Sequence, residues 1–361
     1  MVPAALMTEL MVGLGVLTAS AMSVSLLLRC DPRYQILDVP NERSSHVRPM
    51  PRTGGVAIVL AFSLGVGAAW WAGLLGADLA WIILVPGVLM FLLGLADDVF
   101  NLHEGAKLLL QVLIAGGTVL IGGVFLRGVD LPGIGSVPLG WSAVPVTIVW
   151  IVGIVNVYNF MDGLDGLAAG VAVIIAGWLA TAFFLNGTQA LGTVALLVGA
   201  SVAGFLIFNF PPARIFMGDS GSAFLGFQFA ILAVLGSGDE AVHGLPFLFF
   251  PLLFGAFLAD TAVTLMWRMM RGETWYKAHR VHYYQRLTNL GFSHRGVSVI
   301  EYGLAFSLGV SGFLYLSAND LERIALLMLW VVVFGGLLLT IQRLEGHEGG
   351  VGDREKQRVK R

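Results

Sequence analysis

The sequence predicts an all-α, polytopic integral membrane protein, and three observations predict it. Hydrophobic residues make up 57% of the 361 residues and charged residues only 12%, about half the charge of a soluble domain. A globule of this size could not hide that much apolar surface behind so few charges. The apolar residues gather in runs close to the ~20 residues that carry a helix across hydrocarbon. Lys and Arg are also split unequally between alternate loops. A disordered chain and a disulfide-stapled domain are excluded. The single cysteine, Cys30, has no internal partner to pair with. A net charge of −2 gives no global basic field for nucleic acid.

Eleven apolar blocks follow in order. The first, 6–28, begins in MVPAALMTEL, which has no Lys or Arg and so does not read as a secretory signal. Blocks 54–75 and 79–95 come next, the latter followed by Asp97-Asp98. Block 107–125 precedes the turn signal Pro132-Gly133, and block 141–158 leads into Asn159. Block 168–185 closes at Asn186-Gly187, and 190–208 runs up to a polar loop. Block 222–236 is short and draws on Gly218–Gly221 before Gly236-Ser237-Gly238. Blocks 244–266, 297–316 and 324–342 complete the set, with Ala318-Asn319-Asp320 between the last two. No internal repeat is visible. The reading is one transmembrane catalytic domain over 1–342 and a polar, disordered tail over 343–361.

With the N-terminus outside, all of the 21 Lys and Arg residues except Arg127 and Arg323 fall in loops after odd-numbered helices or in the tail. The positive-inside rule makes those loops cytoplasmic. The unusual polar clusters lie in the same loops: the run Asp38 to His46, Asp97-Asp98, Asn156 and Asn159 leading to Asp162 and Asp165, Phe216 to Gly221, and His279, His282 and Arg286. Five clusters on one face suggest one site assembled from many helix ends.

The chemistry of that set is specific. Asp97, Asp98, Asp162, Asp165 and Asp219 would repel one another unless a cation neutralised them. Oxygen ligands suit a hard ion such as Mg²⁺, which binds one or two carboxylates and then substrate phosphates. Arg43, Arg48, Arg52, Lys107, Arg280 and Arg286 supply positive charge for phosphate. Glycines at 54, 55, 163, 166, 218 and 221 allow backbone N–H groups close to an anion. Carboxylates, metal, glycines and cations are the parts of phosphoryl transfer. At a membrane face, they imply a lipid substrate. Each piece also has a structural reading. Asp97-Asp98 could end a helix, Asp219-Ser220 could cap one, and the arginines before residue 53 could set topology only. All would have to hold together for the site to vanish. Asp260 lies inside block 244–266, where a carboxylate marks function by default. A transporter or lipid carrier is the rival reading, but transporters gather polar groups near the midplane on repeated, broken helices.

The stretches DVPNERSSHVRPMPRTGGVAI, LGLADDVFNL, KLLLQ, NVYNFMDGLDGLAAG, FMGDSGSAFLG, Asp260-Thr261 and HYYQRLTNLGFSHRGV resemble the polyprenyl-phosphate N-acetylhexosamine-1-phosphate transferase superfamily, glycosyltransferase family 4. The likeness runs from about Asp38 to Arg295, and FNFPPARIFMGDSG and LADT resemble its hexosamine, O-antigen-initiating branch. Many members of that branch carry H-x-H-H before the Arg; here Tyr284 and Gln285 replace two of those histidines. Initiators that take 6-deoxy N-acetyl sugars look similar at this point.

The resemblance implies an enzyme of ten or eleven helices in the bacterial inner membrane, its active site facing the cytoplasm. It would transfer a sugar 1-phosphate from UDP-N-acetylhexosamine to undecaprenyl phosphate with Mg²⁺, releasing UMP and starting a lipid-linked envelope polysaccharide such as the O-antigen of lipopolysaccharide. A homodimer is compatible with it. By the resemblance, Asp219 binds the metal with Asn159 as co-ligand. Asp97 and Asp98 are the acidic pair, and His282 is a catalytic member of the last loop. Lys107, Arg52, Asn156, Asp162, Asp165, Phe216 and Arg286 contact substrate. Asp98 would position or deprotonate the acceptor phosphate, with Asp97 orienting it or supporting the metal.

Overall fold

The computed structural model describes residues 4–30, 36–38, 49–237, 244–273 and 281–359, with side chains described from 6 to 345 within those ranges. The expected contributions of 39–48 (Arg43 and Arg48 included), His279 and Arg280 lie outside the described residues.

Helices dominate: α1 (Ala4–Leu27), α2 (Gly54–Trp71), α3 (Ala77–Phe100), α4 (Glu104–Gly122), α5 (Ala143–Met161), α6 (Leu167–Leu185), α7 (Gln189–Asn209), α8 (Gly218–Gly236), α9 (Phe249–Leu253), α10 (Gly255–Met270), α11 (Tyr283–Asn289), α12 (His294–Ser317) and α13 (Asp320–Val359). Two small antiparallel pairs complete it. β1 (Leu37–Asp38) pairs with β2 (Met50–Pro51), and β3 (Gly128–Leu131) with β4 (Gly135–Pro138). Among the described residues, ten helices are long and apolar enough to span a bilayer. The fold is all-α and polytopic.

The ninth apolar block, 244–266, is not one continuous helix. It divides at Phe254 into α9 and the 16-residue α10. Pro251 sits inside α9 and contributes no N–H to the ladder, so the segment is poorly held as a single rod. The tail departs from expectation as well. The α13 backbone stays helical to Val359, through the polar segment read as disordered.

The core forms around α8, which is apolar on all sides and buried over most of its length, as a helix enclosed by others must be. It packs against α3, α5 and α2, while α6, α7 and α1 form the adjoining layer. Most side chains of α1 from Leu6 and of α13 as far as Glu345 are not buried against the rest of the bundle.

Small residues set two close approaches that place the site. A Cβ on Gly94 of α3 would collide with the backbone of Asp219 and Ser220, and one on Gly55 of α2 with the backbone of Gly221. Their absence lets α2 and α3 lie against the first turn of α8. The α3–α4 turn is equally tight. Asn101 adopts the left-handed conformation (φ 49°), which asparagine tolerates, and the His103 ring accepts from Gly105 N at 3.1 Å to start α4. Asp97 and Lys107 thereby face each other across a ten-residue hairpin.

Candidate active site

The C-terminal ends of α3 and α5 and the N-terminal ends of α2, α4 and α8 meet at one end of the bundle. Gly218 begins α8 with φ 76°, where a Cβ would stand 2.6 Å from the Arg52 carbonyl and 2.7 Å from Asp98 Oδ2. Only glycine fits there. Behind it the segment 50–55 is laced to 216–217. Phe216 N donates to Pro51 O (2.7 Å), Gly54 N to Phe216 O (2.9 Å) and Gly55 N to Met217 O (2.8 Å).

The ionic groups form a continuous cluster. Lys107 Nζ lies 2.6 Å from Asp97 Oδ2 and 2.6 Å from Asp219 Oδ2. Arg52 lies 2.8 Å from Asp98 Oδ1 and 3.4 Å from Asp219 Oδ1. Asp97 also accepts Leu102 N at 2.8 Å, which holds the hairpin turn. Asp98 is wholly buried, and both its oxygens are engaged. Oδ1 takes Asp219 N (2.9 Å) as well as Arg52, and Oδ2 takes Ser220 N (3.0 Å). That is the geometry of a helix cap supplied from another helix: a carboxylate on the otherwise unpaired N–H groups and positive dipole end of α8.

Asp162, in the loop after α5, lies within electrostatic reach of the cluster. Loss of hydration, then the negative charge of Asp219, push its carboxyl up to about 7, against the pull of Arg52. Burial opposes the charge on Arg52, but Asp98 and then Asp219 outweigh it and raise that guanidinium above its ordinary value.

Asn159 Nδ2 donates to Ser222 Oγ (3.0 Å), and Ser222 Oγ donates to Asp219 O (3.4 Å). The Asn159 amide oxygen is the atom suited to a hard cation. Asn156, one turn deeper, donates to Gln111 Oε1 (2.7 Å), and Gln111 sits one turn beyond Lys107 on α4.

Three predicted site residues stand apart from the cluster. Asp165 accepts Ala213 N (3.0 Å) and lies 3.5 Å from His294 Nδ1, so it ties the 162–166 loop to neighbouring loops. Arg286 is paired through two nitrogens with Glu345 of α13 and lies 4.6 Å over the Tyr283 ring. The hydrogen bonds to Glu345, opposed by some burial, hold its pKa up. His282 belongs to a separate group around Asp260 and reaches the α5 end through Phe160, ring centroids 5.9 Å apart.

Sequence reading passed over Ser222, Gln111 and Glu345 and left Asp260 without a role. Two of these had a signal. Ser222 completes the polar start of α8, and Gln111 is the polar residue at i+4 from Lys107 in an otherwise apolar helix.

Among the described residues no three His, Cys, Asp or Glu side chains converge as a metal cage. The donor set nevertheless fits a hard divalent ion. Four carboxylates, Asp97, Asp98, Asp162 and Asp219, face two cations, Arg52 and Lys107. Every donor is oxygen, as Mg²⁺ prefers when it shares its shell with substrate phosphates.

Residues 80–237 match the family model "Glycosyl transferase family 4". The chain is 32% identical over 284 residues, 78% of each protein, to the "Probable undecaprenyl-phosphate N-acetylglucosaminyl 1-phosphate transferase" of Bacillus subtilis. The chain belongs to this family. By sequence it is a polyprenyl-phosphate hexosamine-1-phosphate transferase relative. It is also 29% identical, over 84% of this chain and 81% of the other, to the decaprenyl-phosphate N-acetylglucosaminephosphotransferase of Mycobacterium tuberculosis. A phospho-N-acetylmuramoyl-pentapeptide-transferase of Synechococcus is 36% identical over 62% of this chain and 68% of its own. The glycosyl transferase family 4 match covers α3 through α8, and so Asp97, Asp98, Lys107, Asn159, Asp162 and Asp219.

Proposed function

We propose that this protein transfers N-acetylhexosamine 1-phosphate from a UDP-N-acetylhexosamine to undecaprenyl phosphate, giving undecaprenyl-diphosphate-sugar and UMP. The product starts a lipid-linked polysaccharide of the bacterial envelope, the O-antigen being the one that the sequence resemblance implies. The observation that carries the reading is Lys107 bridging Asp97 and Asp219 at one end of a membrane bundle. The positive-inside count supports that end as cytoplasmic, in the inner membrane.

The acceptor phosphate has a second pKa near 6, as a phosphoserine does, so at pH 7 it is mostly a dianion and needs no strong base. One of its oxygens forms a bond to the β-phosphorus of the UDP-sugar. The bond from that phosphorus to the bridging oxygen breaks, and UMP leaves with the electron pair. The obstacle is charge: an anion approaches a diphosphate. Lys107 and Arg52 offset that repulsion, and their attachment to Asp219, Asp97 and Asp98 holds them in place before substrate arrives. Asp219 and Asn159 would hold Mg²⁺, which supplies charge neutralisation on the diphosphate. Asp98 acts by fixing the first turn of α8, on which Asp219 stands. Phe216 offers a half-buried ring for the uracil, and Asp162 borders the nucleotide side.

The rival transporter reading expects its polar groups at mid-membrane; here they cluster where helices end. The deciding experiment supplies purified protein in nanodiscs with undecaprenyl phosphate, Mg²⁺ and a panel of UDP-N-acetyl sugars, 6-deoxy sugars included. Release of UMP that requires the lipid phosphate is expected with at least one sugar. Movement of lipid or sugar across the bilayer without UMP release would favour the carrier.

A further inference from the structure

Asp260 takes no part in the reaction above, yet its environment is highly ordered. It is buried within α10 and accepts from Thr264 Oγ1 on its own helix at 3.1 Å. From the neighbouring α11 it accepts Tyr283 N at 3.1 Å and Tyr284 N at 3.2 Å. His282 Nδ1 stands 2.9 Å from its Oδ1. We propose that Asp260 is the positioning residue of His282, setting where that ring stands and which of its nitrogens carries the proton. The proposal rests on the transferase reading for what His282 then does.

The first N–H groups of a helix lack intrahelical acceptors. In α11 they are met by two residues. Gln285 Oε1 accepts His282 N at 3.3 Å, and Asp260 takes the next two amides. A carboxylate from α10 thus nucleates the short helix that follows His282 and fixes that residue's backbone. The same carboxylate fixes the side chain. A carboxylate oxygen accepts, so the ring nitrogen facing it is the donor, and Nδ1 is the nitrogen that carries a proton.

The ring plane is set by its neighbours. Tyr284 stacks on His282 with centroids 5.9 Å apart and planes 16° apart, and Phe160 lies 5.9 Å away on the other element. Tyr284 OH donates to Phe160 O at 3.0 Å, which joins this group to the end of α5 beside Asn159. Asp260 therefore holds His282 against the helix end that carries the site, while its own hydrogen bonds among the described residues go to Thr264, His282, Tyr283 and Tyr284. A residue acting this way resembles the carboxylates that orient imidazoles at metal and triad sites, where removal costs turnover through the imidazole alone.

A double-mutant cycle in nanodiscs tests it. Asp260→Asn is expected to lower kcat by about 10–100-fold, the usual range for a residue that orients another, with the KM for the UDP-sugar little changed. In a His282→Ala background the same change should cost nothing more. Thr264→Val removes one bond to the carboxylate; it should produce a smaller fall in kcat that also disappears when His282 is absent. It serves where Asp260→Asn does not insert. Equal losses in both backgrounds would reduce Asp260 to a loop anchor and overturn the proposal, as would Asp260→Asn at wild-type kcat. Nitrogen-15 spectra of histidine-labelled protein read the ring without activity: a proton on Nδ1 of His282 is expected, and a proton on Nε2 alone overturns the proposal. Absence of wild-type turnover would instead count against the transferase reading, with the spectra still deciding this one.

Discussion

Lys107 and Asp219 are 112 residues apart in the chain and 2.6 Å apart in the fold. The same ammonium lies 2.6 Å from Asp97, so one buried cation separates two carboxylates contributed by α3 and α8. Removing it should be worse than removing either acid. Lys107→Met leaves Asp97 and Asp219 facing each other with only Arg52, 3.4 Å from Asp219, to offset them, a change worth about 3–5 kcal/mol when a buried pair loses one partner. Thermal unfolding in detergent should show the loss, and adding Asp97→Asn should recover part of it. Lys107→Met unfolding at the wild-type temperature would mean the contact carries no load.

The close approach of α3 to α8 gives a second expectation. Gly94→Ala forces the helices apart at Asp219 and Ser220 and pulls Asp98 from its two amides. Loss of turnover and a lower unfolding temperature are expected. Gly117→Ala, on α4, meets nothing within 4 Å. It should be neutral or stabilising by about 0.5–1 kcal/mol from helix propensity alone. Similar behaviour of the two variants would refute the steric argument.

Asp162 makes stability depend on pH. Its folded pKa, raised to about 7, lies above its unfolded value. Between about pH 4 and 7 the unfolded chain has released the proton while the folded one retains it, so stability falls as pH rises through that window and then levels. Asp162→Asn should remove this component of the slope. Unfolding temperatures measured from pH 4.5 to 8 compare the two proteins, and identical slopes would disprove the assignment.

Arg286 is held by Glu345, so any contact with a substrate phosphate must compete with that pair. Glu345→Gln should lower the KM for the UDP-sugar by up to about 5-fold, since a partly exposed pair is worth at most ~1 kcal/mol. Arg286→Ala should raise it. An unchanged KM in both variants would leave Arg286 as a strap between α11 and α13.

Much of this architecture was legible in the residues because hydropathy and helix-end chemistry are local properties. The apolar runs located the spans, and Asp97-Asp98, the 159–165 run and the 216–221 run marked which ends converge. What stayed hidden depends on tertiary register. That Asp98 caps α8 is set by the Gly94 contact. That Asp165 faces Ala213 rather than the cluster depends on the path of a loop. The division of the ninth block at Phe254, and with it the placement of Asp260 beside α11, comes from packing that no hydropathy window reports. The helical continuation of α13 past Glu345 was missed because a charged segment was read by composition alone.

In the proposed reaction Asp219, held by Lys107 and standing on the α8 turn that Asp98 caps, is required for transfer of a sugar phosphate to a lipid phosphate. The most direct measurement is UMP release by Asp219→Ala in nanodiscs holding undecaprenyl phosphate, with Mg²⁺ and the UDP-sugar that the wild-type protein accepts. Loss of about 10²–10³-fold in turnover, with the variant still inserted and folded, is the predicted result, on the scale of losing a preorganised electrostatic group. Turnover near the wild-type rate would contradict it.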